Sequence, residues 1–338
     1  MSSLVVKAVR IDEIKPHPNA DKLELAILGQ WQLVVGLGQY KAGDLLVFVP
    51  PDAILTPELS DVMNVTQYLH RQRVKAVRLR GEVSHGLPID QKFVPVPLVE
   101  GEDYAEILGI TKHTPAVRYL PGDCLAPDPQ FPIYTDIENL RHNPGIFQLG
   151  EEVVVTEKIH GMNARVGMVN GELMAGSHRT RRKPVEDMAA NTFWYPHTIP
   201  GIKKLLEADP RNNTVVYGEI YGKGVQVLDY GTPRGFAAFD ISVNDRYLNY
   251  NEFRTLCWAF EIPTVPVIDQ FVWEGPESIR RIREDAEGMT TLSAKHIREG
   301  VVVRPVVERW STAVGRVILK YVSDAYLAKD YSAVEVDE

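Results

Sequence analysis

The sequence predicts an α+β protein: a small N-terminal β-barrel, then a larger domain in which strands alternate with a few helices. Three observations lead there. Short apolar runs separated by Gly and Pro turn signals fill the first 110 or so residues. A proline-dense stretch, 111–150, interrupts them, and from residue 151 apolar strands alternate with a few segments of helical period. A chain of 338 residues is expected to form two domains. The boundaries expected are 1–110 for the barrel, 111–130 for a linker and 131–338 for the second domain.

In chain order, the barrel strands are expected in LVVKAVRI, LELAILG, QLVVGLG, LLVFVP and VKAVRLRG, with turns at HPNAD, LGQW and YKAGD. Many short strands with frequent turns suit a closed barrel, which leaves no sheet edge open. The connector leads to a short helix at DIENLRHN. Further helices are expected in WYPHTIPGIKKLLEAD, YNEFRTLCWAF and PESIRRIREDAEG, the last two strongly periodic, and the tail SAVEVDE is expected to fray.

Composition narrows the function classes. Cys124 and Cys257 lie far apart with no CxxC or Cys/His cluster, which excludes a disulfide framework and a structural zinc site and points to a reducing, cytoplasmic setting. No run of about 18 apolar residues is present, so no membrane span is expected. The net charge of −8 argues against coating nucleic acid through bulk charge, but two local patches are basic. LHRQRVKAVRLR (69–80) holds Arg71, Arg73, Lys75, Arg78 and Arg80, and HRTRRK (178–183) holds Arg179, Arg181, Arg182 and Lys183. A charge run is usually only a solvated face, so position relative to other motifs decides.

The chemistry starts at TEKIHGMNARVG (156–167), directly after Val153, Val154 and Val155. A lysine acts as a nucleophile only after losing its proton. Lys158 at the end of an apolar strand is held in place, and Gly161 lets the chain turn tightly beside a ligand. The pattern is too short to stand alone, but it has company in order: Arg179, Glu219 in VVYGEIYG, Phe239 and Asp240 in GFAAFDI, Glu299 and Gly300 in EGVVVRP, and Lys320 in RVILKYVSDAYL. Each has a duller reading: Glu219 paired with Arg234, Phe239 a core aromatic, Lys320 an edge lysine.

Residues 1–95, through HPNADKLEL, LVVGLGQYKAGDLLVFVP and RLRGEVSHGLPI, resemble the tRNA-binding OB domains of synthetases and their cofactors. Residues 130–330 resemble the covalent nucleotidyltransferases, and within them the ATP-dependent RNA ligases with an N-terminal OB-fold domain; Glu157, Lys158, His160, Gly161 and Asn163 match the EKxHGxN form of their first motif. The resemblance implies an OB-type barrel followed by a catalytic domain of ATP-grasp-like antiparallel sheets with helices. It implies ATP as cosubstrate, AMP on Lys158, and nucleotide contacts from Glu157, Ile159, Asn163, Arg179, Glu219, Phe239, Glu299 and Lys320. Mg²⁺ or Mn²⁺ would be held by Glu219 and Glu299. In these roles Phe239 stacks on adenine and Lys320 holds the α-phosphate; His160 either orients the loop or reaches the metal.

The implied reaction seals 3′-OH and 5′-phosphate ends, in particular nicks whose 3′-OH strand is RNA, by a monomer acting on RNA or a nicked RNA/DNA duplex. Arg71, Arg73, Arg78, Arg181, Arg182 and Lys183 are the candidates for its backbone. Two departures from the family pattern stand out: Lys320 is followed by Tyr321 and Val322 rather than a second lysine, and Arg304 stands where lysine is common. With 18 residues after Lys320, the C-terminal OB domain of DNA ligases is not expected. A DNA ligase and a non-catalytic RNA-binding protein are the alternatives.

Overall fold

The computed structural model describes residues 3–114, 123–209, 211–228, 230–293 and 296–328. Part of the expected linker and the whole of SAVEVDE lie outside them. The chain divides into two units: the described residues of Met1–Ala116, Asn139–Pro144 and Asp324–Glu338, and those of Val117–Glu138 and Gly145–Ser323.

In the first unit Glu13–Pro16, Leu23–Leu28 and Trp31–Gly36 form one antiparallel sheet, and Ala8–Arg10, Leu45–Val49 and Leu87–Ile89 another. Alternation places Ala26, Leu28, Leu33, Val35, Leu46 and Phe48 in one core around Trp31. Four of the expected barrel strands form where the apolar runs lie. The fifth differs: VKAVRLRG is not one strand, because only Val77–Leu79 of it forms a strand, paired with Glu82–Ser84, and Arg80 and Gly81 beyond it take left-handed backbone. Buried Arg141 stacks over Trp31 and binds Asp324, which also pairs with buried His85 at 2.8 Å.

The second unit carries two sheets. In the larger, the strands run in the order Cys124–Leu125, Arg181–Arg182, Glu172–Ser177, Met162–Val169, Thr214–Tyr221, Gly235–Val243, Arg246–Tyr247. The other has Glu152–Lys158 between Val267–Val272 and Gly300–Pro305, with Leu319–Val322 beyond the latter. Because Glu152–Lys158 is flanked on both sides, Val153, Val154 and Val155 are fully buried and read as a continuous apolar run.

Helices cover the outer faces. Pro200–Ala208 starts on Pro200 and buries Ile202, Leu205 and Leu206; Tyr250–Ala259 buries Tyr250, Phe253 and Cys257. Both stripes have helical spacing and pack on Ala164, Val166, Val216 and Ile241 of the larger sheet. The Asn249 N–H donates to the Glu252 carboxylate at 2.8 Å, closing the first turn of the second helix. Pro276–Ala286 buries Ile279, Ile282 and Ala286. The expected helix at DIENLRHN is only a 3₁₀ turn, Leu140–His142.

The inner faces of the two sheets meet over Tyr134, Val169, Met174, Val215, Tyr217, Val302 and Ile318. Beside this cluster lies a buried charge network. Asp240 pairs with Arg316 at 2.6 Å and Arg304 at 3.2 Å and accepts from the Tyr134 hydroxyl at 2.8 Å. Arg304, noted in the sequence as a departure, is thus a structural cation.

Candidate active site

Strand register brings the candidate residues together. Lys158 is opposite Gly300, and Thr156 is opposite Val302, which is opposite Lys320. Residues two apart on a strand share a face, so Lys158 and Lys320 project from the same side of their sheet. In the larger sheet Asn163 is opposite Glu219, and Glu219 is opposite Ala237. Their face is the one that carries Tyr217 and the inter-sheet cluster.

The loop after Lys158 is tied to this face. Glu219 Oε1 accepts the Gly161 N–H at 3.1 Å, and the Tyr230 hydroxyl accepts the His160 N–H at 2.7 Å. The reason for glycine at 161 differs from the expected tight turn. A Cβ there would stand 2.2 Å from the Ile220 carbonyl oxygen, so glycine permits close approach of two strands. Gly300 is forced in the same way by the Tyr321 carbonyl, also 2.2 Å from a hypothetical Cβ.

Lys158 Nζ lies 2.7 Å from Glu299 Oε1, and His160 Nδ1 lies 3.4 Å from Glu299 Oε2. Burial alone would lower the lysine pKa, but Glu299 and Glu219 outweigh it and raise it above the ordinary lysine value. The amine at rest is therefore an ammonium. Burial opposes ionisation of Glu299 as well, yet Lys158 and His160 draw its pKa down to about 2. Glu219 is different: burial pushes it up to about 8, only partly offset by Lys158. Two neighbouring carboxylates thus take opposite charge states near neutrality.

The donor set suits a hard divalent cation. Glu219 and Glu299 supply oxygen ligands, and Asn163 Oδ1 is buried without a hydrogen-bond partner among the described residues. No cluster of three or more His, Cys, Asp or Glu able to hold a metal occurs among the described residues. One or two carboxylates together with substrate phosphates is how Mg²⁺ and similar ions are usually held.

Other candidates fall out as follows. Glu157 is 2 % exposed; its carboxylate accepts from the hydroxyls of Thr290 and Thr291 and from the Thr291 N–H at 2.9 Å, so it anchors the base of the loop. Ile159 is buried. Phe239 is half-buried beside Tyr134, ring centroids 4.8 Å apart. Arg234 is not a partner of Glu219; it donates to the Ala189 carbonyl and stacks on Tyr195. In the basic patches Arg73 pairs with Asp52, Arg181 with Asp128, and Arg182 stacks on Phe193. Arg71, Arg78, Arg179 and Lys183 are exposed. Sequence reasoning missed Tyr230, Thr290 and Thr291; isolated polar residues in loops carry no period to betray them.

The RNA ligase family profile matches residues 151–322, and an OB-fold domain profile matches residues 5–90. Solved structures of an RNA ligase from Naegleria gruberi are similar along nearly the whole chain. The form with PPi is 25% identical, with a TM-score of 0.75 over 96% of this chain and 98% of that one. A variant with ATP and Mn gives 25% and 0.75 over 96% and 99%, and another with AMP and Mn gives 25% and 0.76 over 97% and 99%. No curated protein matches the chain. With a family match across Lys158, Glu219, Glu299 and Lys320, and an OB-fold match in front of it, the chain belongs to the RNA ligase family.

Proposed function

We propose that the protein is an ATP-dependent ligase that joins 3′-OH and 5′-phosphate RNA ends, acting on nicks with an RNA 3′-OH strand. The observation that carries this reading is the convergence of Lys158, Glu299 and Glu219 on one loop. The Lys158 amine attacks the α-phosphorus of ATP, pyrophosphate leaves, and AMP remains on the lysine. The 5′-phosphate of the RNA then takes the AMP, and the 3′-OH displaces it.

Each residue has a task that its position supports. Glu299 holds the Lys158 ammonium at rest; because an ammonium has no lone pair, this pair opens and the proton passes to solvent before attack. Lys320, on the same sheet face, meets the charge that develops on the α-phosphate. Phe239 offers a flat face to the purine, and Ile159 and Asn163 line the nucleotide site. A bound Mg²⁺ or Mn²⁺, held by Glu219 and Glu299, supplies positive charge to the phosphates. The exposed Arg179 and Lys183 are the better RNA contacts of their patch, since Arg181 and Arg182 are engaged within the protein. Arg71 and Arg78 serve the barrel. The two free thiols accord with a reducing cytoplasm.

Incubation with α-labelled ATP and Mn²⁺ is expected to label the wild-type protein and leave Lys158→Ala unlabelled with unchanged thermal unfolding. Labelling of that variant overturns the site, and an unlabelled wild type indicates a non-catalytic RNA-binding protein. Nicked duplexes differing only in RNA or DNA at the 3′-OH terminus test the substrate. Equal sealing of both favours a DNA ligase.

A further inference from the structure

We propose that Tyr230 is a positioning residue that holds the nucleophile loop during transfer of AMP to Lys158, an inference that rests on the reading above. Two side chains bind the backbone just beyond Lys158: Tyr230 takes the His160 N–H at 2.7 Å and Glu219 takes the Gly161 N–H at 3.1 Å. The two anchors differ in what else they do. The Glu219 carboxyl faces the site, and once it turns to a cation its hold on Gly161 loosens. Tyr230, a neutral phenol, is not drawn away by a cation.

Its surroundings are those of a fixed strut. The residue is 4 % exposed, and its ring stands edge-on to His296 at 4.6 Å and to Tyr221 at 5.3 Å between centroids. Burial raises its pKa, so the phenol stays neutral throughout the working range. A neutral hydroxyl accepts the amide bond without adding charge beside Glu219 and Glu299. On the other side of Lys158, the Glu157 N–H donates to the Pro266 carbonyl at 2.9 Å. Lys158 is therefore clamped from before by the strand and from behind by Tyr230. In-line attack depends on such placement, where an error of about 1 Å costs on the order of a hundredfold.

The test is Tyr230→Phe, which keeps the ring and removes the hydroxyl. Single-turnover AMP transfer is expected to slow by about tenfold or more at saturating ATP, with the KM for ATP within about twofold of wild type. Sealing of a nick that already carries AMP on its 5′-phosphate does not use the Lys158 amine as nucleophile and is expected to proceed at the wild-type rate. Without ATP or metal, hydrogen exchange of the His160 amide is expected to quicken by about tenfold, as for a lost hydrogen bond. A wild-type transfer rate in the variant overturns the proposal, and equal loss of both reactions reduces Tyr230 to a general structural residue. If the wild type takes no AMP at all, it is the function that fails, whereas an unchanged His160 amide refutes the anchor alone.

Discussion

At the residue scale, chemistry was legible where a side chain has few reasons to be where it is. Lys158, Glu219, Glu299 and Lys320 were candidates by type and order; the register sets Lys158 and Lys320 on one sheet face and Glu219 on the other sheet, and Glu299 reaches them through its pair with Lys158. Glu157 shows the limit: its motif position does not reveal that its carboxylate is spent on Thr290 and Thr291. Gly161 shows another, since a glycine required by a neighbouring carbonyl looks the same in sequence as one required by a turn. The structural cause makes a prediction. Gly161→Ala forces the loop away from Ile220, and we expect a loss of about 1–3 kcal/mol in stability with at least a tenfold slower AMP transfer. Denaturant unfolding and single-turnover labelling measure the two; an alanine variant with wild-type rates would show that the loop has room to shift.

At the element scale, the helices with a strongly periodic stripe formed where expected, because their signal is local. Strand limits were less legible: Val77–Leu79 is short because the left-handed Arg80 and Gly81 end it in a turn, a property that arginine does not advertise. The 3₁₀ turn Tyr195–Thr198 carries a buried titratable group that the sequence left unremarked. His197 stacks on Trp194 and bonds the Met174 carbonyl at 2.9 Å, and burial lowers its pKa from 6.5 to about 4. The fold thus favours the neutral ring: its contribution is full above about pH 6.5 and is lost as pH falls toward 4, for a total of about 3 kcal/mol. His197→Gln keeps a donor and does not titrate, so its stability is expected to fall less than wild type across that window. Parallel stability curves for the two proteins would contradict this.

At the scale of the whole molecule, net charge and local charge pull in opposite directions. A chain of −8 repels phosphates at long range, so RNA is expected to be held by a few exposed cations. Arg179→Ala and Lys183→Ala are each expected to lower the slope of log affinity against log salt by about one, whereas Arg182→Ala, which loses its stack on Phe193, lowers stability instead. Titration of a nicked duplex at several salt concentrations separates the two, and an unchanged slope for both exposed residues would remove the patch from the interface. What no local signal disclosed is the order in which strands neighbour one another. Glu152–Lys158 is flanked by Val267–Val272 and Gly300–Pro305, both far downstream. During synthesis on a ribosome, Val153, Val154 and Val155 emerge long before either flanking strand exists. For that interval both edges of a valine-rich strand are open to other chains, and the nascent protein depends on chaperones or on speed to reach its native pairing.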